Sequence, residues 1–167
     1  GIAMESSNII AFSASWIWKV DLLPKVRLFL SLCAHNIIGV KVCLGRRGVV
    51  QDEVYPVCCN GGKTILHALR DCSHLKHVWN QLGVTASNHE FWHVNLLEWL
   101  SLNVRNNDMM HSSGFPWKIV FPFALWSIWK SRNDIVFNRK GRSQKLVMDI
   151  VYQAKEYLHC VVAPRLQ

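Results

Sequence analysis

Apolar residues recur at three- and four-residue spacing along most of the chain, the period of helices that bury one face. Val26, Phe29, Leu30, Cys33 and Ile37 follow Pro24, a residue suited to a first helical position, and Gly39 breaks the run. A short second helix is expected over 40–47, stopped by Gly48. Residues 51–63 contain Pro56, Asn60, Gly61 and Gly62 and read as a loop or knuckle, followed by a brief helical turn over 65–70. Ser73 is placed to cap a helix over 74–82, and Gly83 to stop it. On that helix Leu75, Val78, Trp79 and Leu82 share an arc of about 100°, with His74 at its border and His77 farther round.

Leu96, Leu97, Trp99 and Leu100 predict a further helix, ended before a polar run over 103–114 that reads as a linker. A longer helix over 117–137 carries Trp126, Trp129, Asn133 and Phe137 on one side. The last helix, over 143–161, has an apolar stripe of Leu146, Val147, Ile150, Val151, Ala154, Tyr157 and Leu158. No internal repeat or low-complexity tract interrupts these elements. The expected fold class is mainly α.

Composition narrows the picture. A chain of 167 residues suits one ordinary domain or two very small ones. Half its residues are hydrophobic and 18% are charged, which excludes a disordered chain or a long coiled coil. Nineteen Lys and Arg against eleven Asp and Glu give +8, a balance that favours an acidic partner such as nucleic acid. Lys130, Arg132, Arg139, Lys140, Arg142 and Lys145 form the densest basic patch, either a solvated helix end or a phosphate-facing strip. The longest mostly apolar stretch, over 119–129, holds Pro122 and Ser127 and falls short of the roughly 20 residues that span a bilayer, so no membrane partner is expected. The N-terminus has no secretory pattern. With Gly1 first and Met4 the first methionine, the chain reads as a piece, or a truncated copy, of a longer polypeptide.

The six cysteines are not spaced like a secreted disulfide scaffold, so an intracellular location, nucleus or cytoplasm, is expected. Cys33, Cys43 and Cys160 lie in apolar runs and read as core. Cys58, Cys59 and Cys72 lie instead in a polar stretch near His67, His74 and His77. A structural zinc ion takes four thiolate or imidazole donors in a tetrahedron, and the spacing Cys58-x8-His67-x4-Cys72 offers three of them. Tyr55 stands where a knuckle's first Cys would be; Cys59, His74 or water remain for the fourth position, and adjacent Cys58 and Cys59 would strain one site, which favours His74 or water.

In order, Trp18-Lys19, the run from Leu23-Pro24-Lys25 to Leu30, Ala34-His35-Asn36, Leu44, Arg47-Gly48, Pro56-Val57-Cys58, Thr64, His67, Cys72 and Val78-Trp79 make a series that resembles the zinc-binding domain following the reverse transcriptase in plant LINE-type (non-LTR) retrotransposon polyproteins. Downstream, the stretch from Leu125-Trp126 to Val136-Phe137 resembles the helical connector preceding a ribonuclease H domain in those proteins. The resemblance covers about residues 16–137. It implies an N-terminal flank over 1–15, a zinc-binding-like domain with a zinc-knuckle-like loop over 16–84, a helix and polar linker over 85–114, and a helical connector region over 115–167. It implies Zn2+ as cofactor, with Cys58, His67 and Cys72 at matching ligand positions; the fourth place, left to His74 or water, is not given by the resemblance. The sequence departs from the family at Tyr55, at Lys63, where an acidic residue is usual, and at Ser31, where Trp is usual, as in a decaying element copy.

The function expected is therefore that of a non-catalytic module, partnered by nucleic acid and by other domains of a longer retroelement polyprotein. A knuckle pinned against the helix over 74–82 would present Arg46, Arg47, Lys63, Arg70 and Lys76 to backbone phosphates. A ribonuclease H centre needs clustered carboxylates around divalent cations, and the carboxylates here are scattered. Neither a G-x-S-x-G turn nor a phosphate-cradling Gly-Lys loop is present. A helical protein-interaction module is the other expectation, with Trp16, Trp18, Trp92, Trp99, Trp117, Trp126 and Trp129 as anchors.

Overall fold

In the computed structural model of the chain, the residues described are 14–38, 64–110, 114–136 and 145–167. The helix expected over 40–47 and the loop over 51–63 lie outside them. After a 3-10 turn (Ser15–Lys19), α1 spans Pro24–Ala34 with Pro24 in its first turn. Its end comes earlier than Gly39. Asn36 takes a left-handed φ of 56°, its N–H bonds to the Cys33 carbonyl, and the Ile37 N–H reaches back to Leu32. That pairing closes a helix on a left-handed residue, a conformation Asn tolerates better than most side chains.

A π turn (His67–Asp71) leads through Cys72 into α2 (Ser73–Gln81). Cys72, not Ser73, occupies the cap position, and no side chain caps α2. Gly83 stops it as its sequence suggests: φ is +98°, its N–H bonds to Asn80, and the Val84 N–H bonds to Trp79. Two short helices follow, α3 (His89–His93) and α4 (Leu96–Val104), capped by the side chains of Asn88 and Asn95. Next come α5 (Trp117–Val136), which contains Pro122, and α6 (Leu146–Tyr157), continued by a π turn (Leu158–Val162) and a terminal turn (Ala163–Arg165). The described residues are mostly helical and contain no strand. No helix among them is long and apolar enough to cross a membrane.

Trp79 lies at the centre of the aromatic core, with ring centroids of Phe91 at 5.0 Å, Phe121 at 5.8 Å, Trp99 at 5.9 Å and Trp117 at 6.5 Å. The contacts with Phe91, Trp99 and Trp117 are edge-to-face and that with Phe121 is tilted at 32°, and such aromatic pairs add to the apolar area they bury. α5 packs against α1, α4, α6 and the first π turn. On its α1 side, Trp126 and Trp129 flank Phe29 at 5.3 and 6.2 Å. The polar run expected as a linker is tied at both ends: buried Asn103 donates to Trp99 O at 2.8 Å and accepts from Trp117 Nε1 at 2.9 Å, while the Trp117 N–H reaches Asp108. Residues from Ala14 to Tyr157 thus contribute to one apolar cluster. Cys33 is in that core, where burial pushes its thiol pKa up. Cys160, expected inside, is exposed on the second π turn, and Cys43 lies outside the described residues.

Candidate metal centre

Thr64 opens the segment that carries two of the expected ligands; its Oγ1 accepts the His67 N–H at 3.1 Å. Buried Ile65 and Leu69 fix the inner side of the turn in the core. Residues five apart on an α-helix lie about 140° round from one another, on different faces. The π turn narrows that offset, because its hydrogen bonds span five residues. The Cys72 N–H donates to the His67 carbonyl at 3.0 Å, bringing the two backbones together. Cys72 is buried at the junction of two helices, where the chain leaves helical geometry with ψ of 131° and its carbonyl accepts the first α2 bond, from Leu75. A hydrogen bond from Trp79 Nε1 to Leu69 O at 3.0 Å locks the turn to α2 and to the aromatic core.

His67 is half-buried, and its Nε2 is buried without a hydrogen-bond partner among the described residues. Arg27 Nε and the indole nitrogens of Trp99 and Trp126 share that condition, but only an imidazole nitrogen can offer a lone pair to a cation. Leaving such a group unsatisfied costs about 1–3 kcal/mol. A zinc ion bound to that nitrogen would remove the penalty, and zinc takes both imidazole and thiolate donors. In this respect His67 and Cys72 fit the ion. Cys58, with Cys59 and Tyr55, lies outside the described residues. His74 is exposed in the first turn of α2, and no group of three His, Cys, Asp or Glu donors forms among the described residues. The expectation that His74 joins His67 and Cys72 is therefore not met there: its place on the outer side of α2 keeps it in solvent.

The expected phosphate contacts divide. Arg46, Arg47 and Lys63 lie outside the described residues, and Lys76 is exposed on α2. Arg70 requires correction. It is 5% exposed, Nε and Nη2 pair with the Asp71 carboxylate at 2.6 and 3.2 Å, and Nη1 donates to the carbonyls of Val94 at 2.8 Å and Phe91 at 3.3 Å. Its guanidinium also covers the Trp99 ring at 5.5 Å. With its donors spent on the end of α3, Arg70 is a structural clamp. The Arg-Asp dipeptide was the sequence signal for that role, since a neighbouring carboxylate allows a guanidinium to be buried. Lys130 lies over the Trp126 ring at 5.4 Å, and its pKa is lowered by burial first and then by Lys25 of α1.

A helical module with a His–Cys turn at a helix junction is thus the class of protein that fold and site define. Residues 3–79 match the family described as zinc-binding in reverse transcriptase. The chain is also 28% identical over 131 residues to a putative ribonuclease H protein of Arabidopsis thaliana, an alignment covering 78% of this chain and 21% of that protein. It therefore spans about a fifth of that relative's length. No solved structure matches the chain.

Proposed function

We propose that this chain is the non-catalytic zinc-binding-like module of a retroelement reverse transcriptase protein of the LINE type, a degenerate copy that still holds a zinc ion. The observation that supports this most is the Nε2 of His67, buried without a hydrogen-bond partner among the described residues, one π turn from Cys72 inside the matched segment. Cys58, His67 and Cys72 would hold the ion, with water completing the set left short by Tyr55. Zinc supplies no redox chemistry; its binding energy is folding energy. The chain's own residues do the rest: Leu69 and Trp79 transmit the order of the turn to the core, and Asp71 keeps Arg70 on α3.

Arg46, Arg47, Lys63 and Lys76 would meet backbone phosphates, which fix position without reading sequence. Nucleic acid and the remaining domains of a longer polyprotein are the partners, in the nucleus or cytoplasm. The relative's description as a putative ribonuclease H protein supports a place beside such a domain, and the catalytic step would belong to a part outside this chain.

The protein-interaction alternative is weakened by the tryptophans it relied on. Trp99 and Trp117 are buried, and Trp16, Trp92, Trp126 and Trp129 pack on the core, leaving only Trp18 at 58% exposure. The test is metal content of the chain purified without added zinc, together with oligonucleotide titration at two salt concentrations. One zinc per chain and salt-weakened binding are expected; a metal-free chain with no salt-dependent binding contradicts both parts.

A further inference from the structure

The short helix α3 is over-fixed for its length. Five residues do not hold a helix by themselves. Here Asn88 Oδ1 accepts the Phe91 N–H at 3.0 Å, Arg70 clamps the carbonyls of Phe91 and Val94, and Trp92 Nε1 donates to Thr85 O at 2.9 Å. Phe91 is buried against Trp79 and Trp99 at 5.0 and 5.4 Å. What this arrangement presents to solvent is a pair of imidazoles. His89 and His93, both exposed, stack with ring centroids 5.1 Å apart and an interplanar angle of 27°. No hydrogen bond engages either ring among the described residues.

We propose that His89 and His93 form a second cation site, a two-imidazole chelate for a borderline divalent transition ion such as Zn2+, Ni2+ or Cu2+. Imidazole suits these ions, and residues four apart on a helix face the same way. Because the backbone beneath both rings is already fixed, only side-chain torsions must adjust for two nitrogens to meet one ion, with water completing its coordination. The order His89-Glu90-x-x-His93 is also the spacing of zinc peptidases, whose chemistry needs a third protein ligand. No group of three donors forms among the described residues, and Asp71, which lines the same open groove as His93 and His77, is committed to Arg70. Among the described residues the site is thus a two-imidazole chelate, without the third protein ligand that hydrolysis needs. It does not depend on zinc at His67 and Cys72.

Nickel titration of the full chain, purified without added metal and followed by calorimetry, tests the proposal. His89→Ala and His93→Ala, singly, are expected to weaken Ni2+ binding at least tenfold, because each turns a chelate into a single ligand. The double variant loses one equivalent. Cys72→Ser leaves this equivalent intact, which separates the site from the proposed knuckle. As both rings are exposed, the melting temperatures of the histidine variants should match that of the parent. In the unsubstituted chain, Ni2+ should broaden the ring resonances of His89 and His93 before those of His35 and His159. A double variant that loses less than tenfold in affinity, or broadening that starts at other histidines, overturns it.

Discussion

The Cys72 amide donates to the His67 carbonyl at 3.0 Å, and this five-residue span is what joins the two helical segments of the candidate metal centre. It places a thiol-bearing and an imidazole-bearing residue at one junction, while the Nε2 of His67 is left buried without a partner among the described residues.

Removing that nitrogen should act in opposite directions with and without metal. His67→Leu is expected to raise the stability of the metal-free chain by about 1 kcal/mol, since it deletes an unsatisfied buried group. The same variant should lose the stabilisation that zinc gives the parent. Thermal melts with zinc and with a chelator check both signs. Equal shifts under the two conditions would mean that His67 is not a ligand.

Tyr55→Cys restores the expected fourth donor. Zinc affinity and the zinc-dependent part of the melting temperature should both rise, by competition titration and calorimetry respectively. No gain in either measurement would place residue 55 away from the ion.

Arg70 and Lys76 should separate fold from binding. Arg70→Ala leaves the Phe91 and Val94 carbonyls unpaired and uncovers Trp99, which should cost about 2–4 kcal/mol by denaturant unfolding. Lys76→Ala should leave unfolding unchanged and weaken oligonucleotide binding to a similar degree for every sequence tried. Strong sequence dependence of the Lys76 effect would argue against a phosphate contact.

Trp79→Phe keeps most of the ring but removes the donor to Leu69 O. About 1–2 kcal/mol of stability should be lost. Zinc affinity should fall with it, because the carbonyl released belongs to the turn between His67 and Cys72. Unchanged affinity would show that the turn is held without the indole.

At the other end of the chain, Arg165 grips both Asp21 oxygens at 2.7 Å and Tyr157 donates to Asp21 O at 2.9 Å. The Arg165 guanidinium holds the Asp21 carboxyl below its ordinary 3.8. A carboxyl with a lowered folded-state pKa contributes its stability fully above the unfolded value, and loses it as pH falls through the depressed one. Asp21→Asn should therefore lower the melting temperature slightly near neutral pH and flatten its decline in acid. Melts in a series from pH 2 to 7 read this out, and parallel curves for parent and variant would refute it.

Much of this architecture was legible as periodicity. Pro24, Gly83 and the stripes on α1, α2 and α6 mark real elements, because each signal is local and the winning interaction lies within a few residues. The misreadings have a common cause in distant partners. Asn103 looked like linker polarity until Trp99 and Trp117 satisfied its amide, and Arg70 looked like a phosphate contact until α3 brought two carbonyls to it. The π turn was hidden for a related reason: Leu66, Ala68 and Leu69 suit an α-helix equally well, and five-residue bonding is read only from the folded backbone. The zinc knuckle was legible only in part, as spacing, since Cys58 lies outside the described residues.

X-ray absorption at the zinc edge, on the chain loaded with one equivalent of zinc, addresses the central claim most directly. The proposed set predicts two sulfur neighbours at about 2.3 Å and at least one nitrogen at about 2.0–2.1 Å. A shell of nitrogen and oxygen alone would contradict it, because neither Cys58 nor Cys72 would then hold the ion.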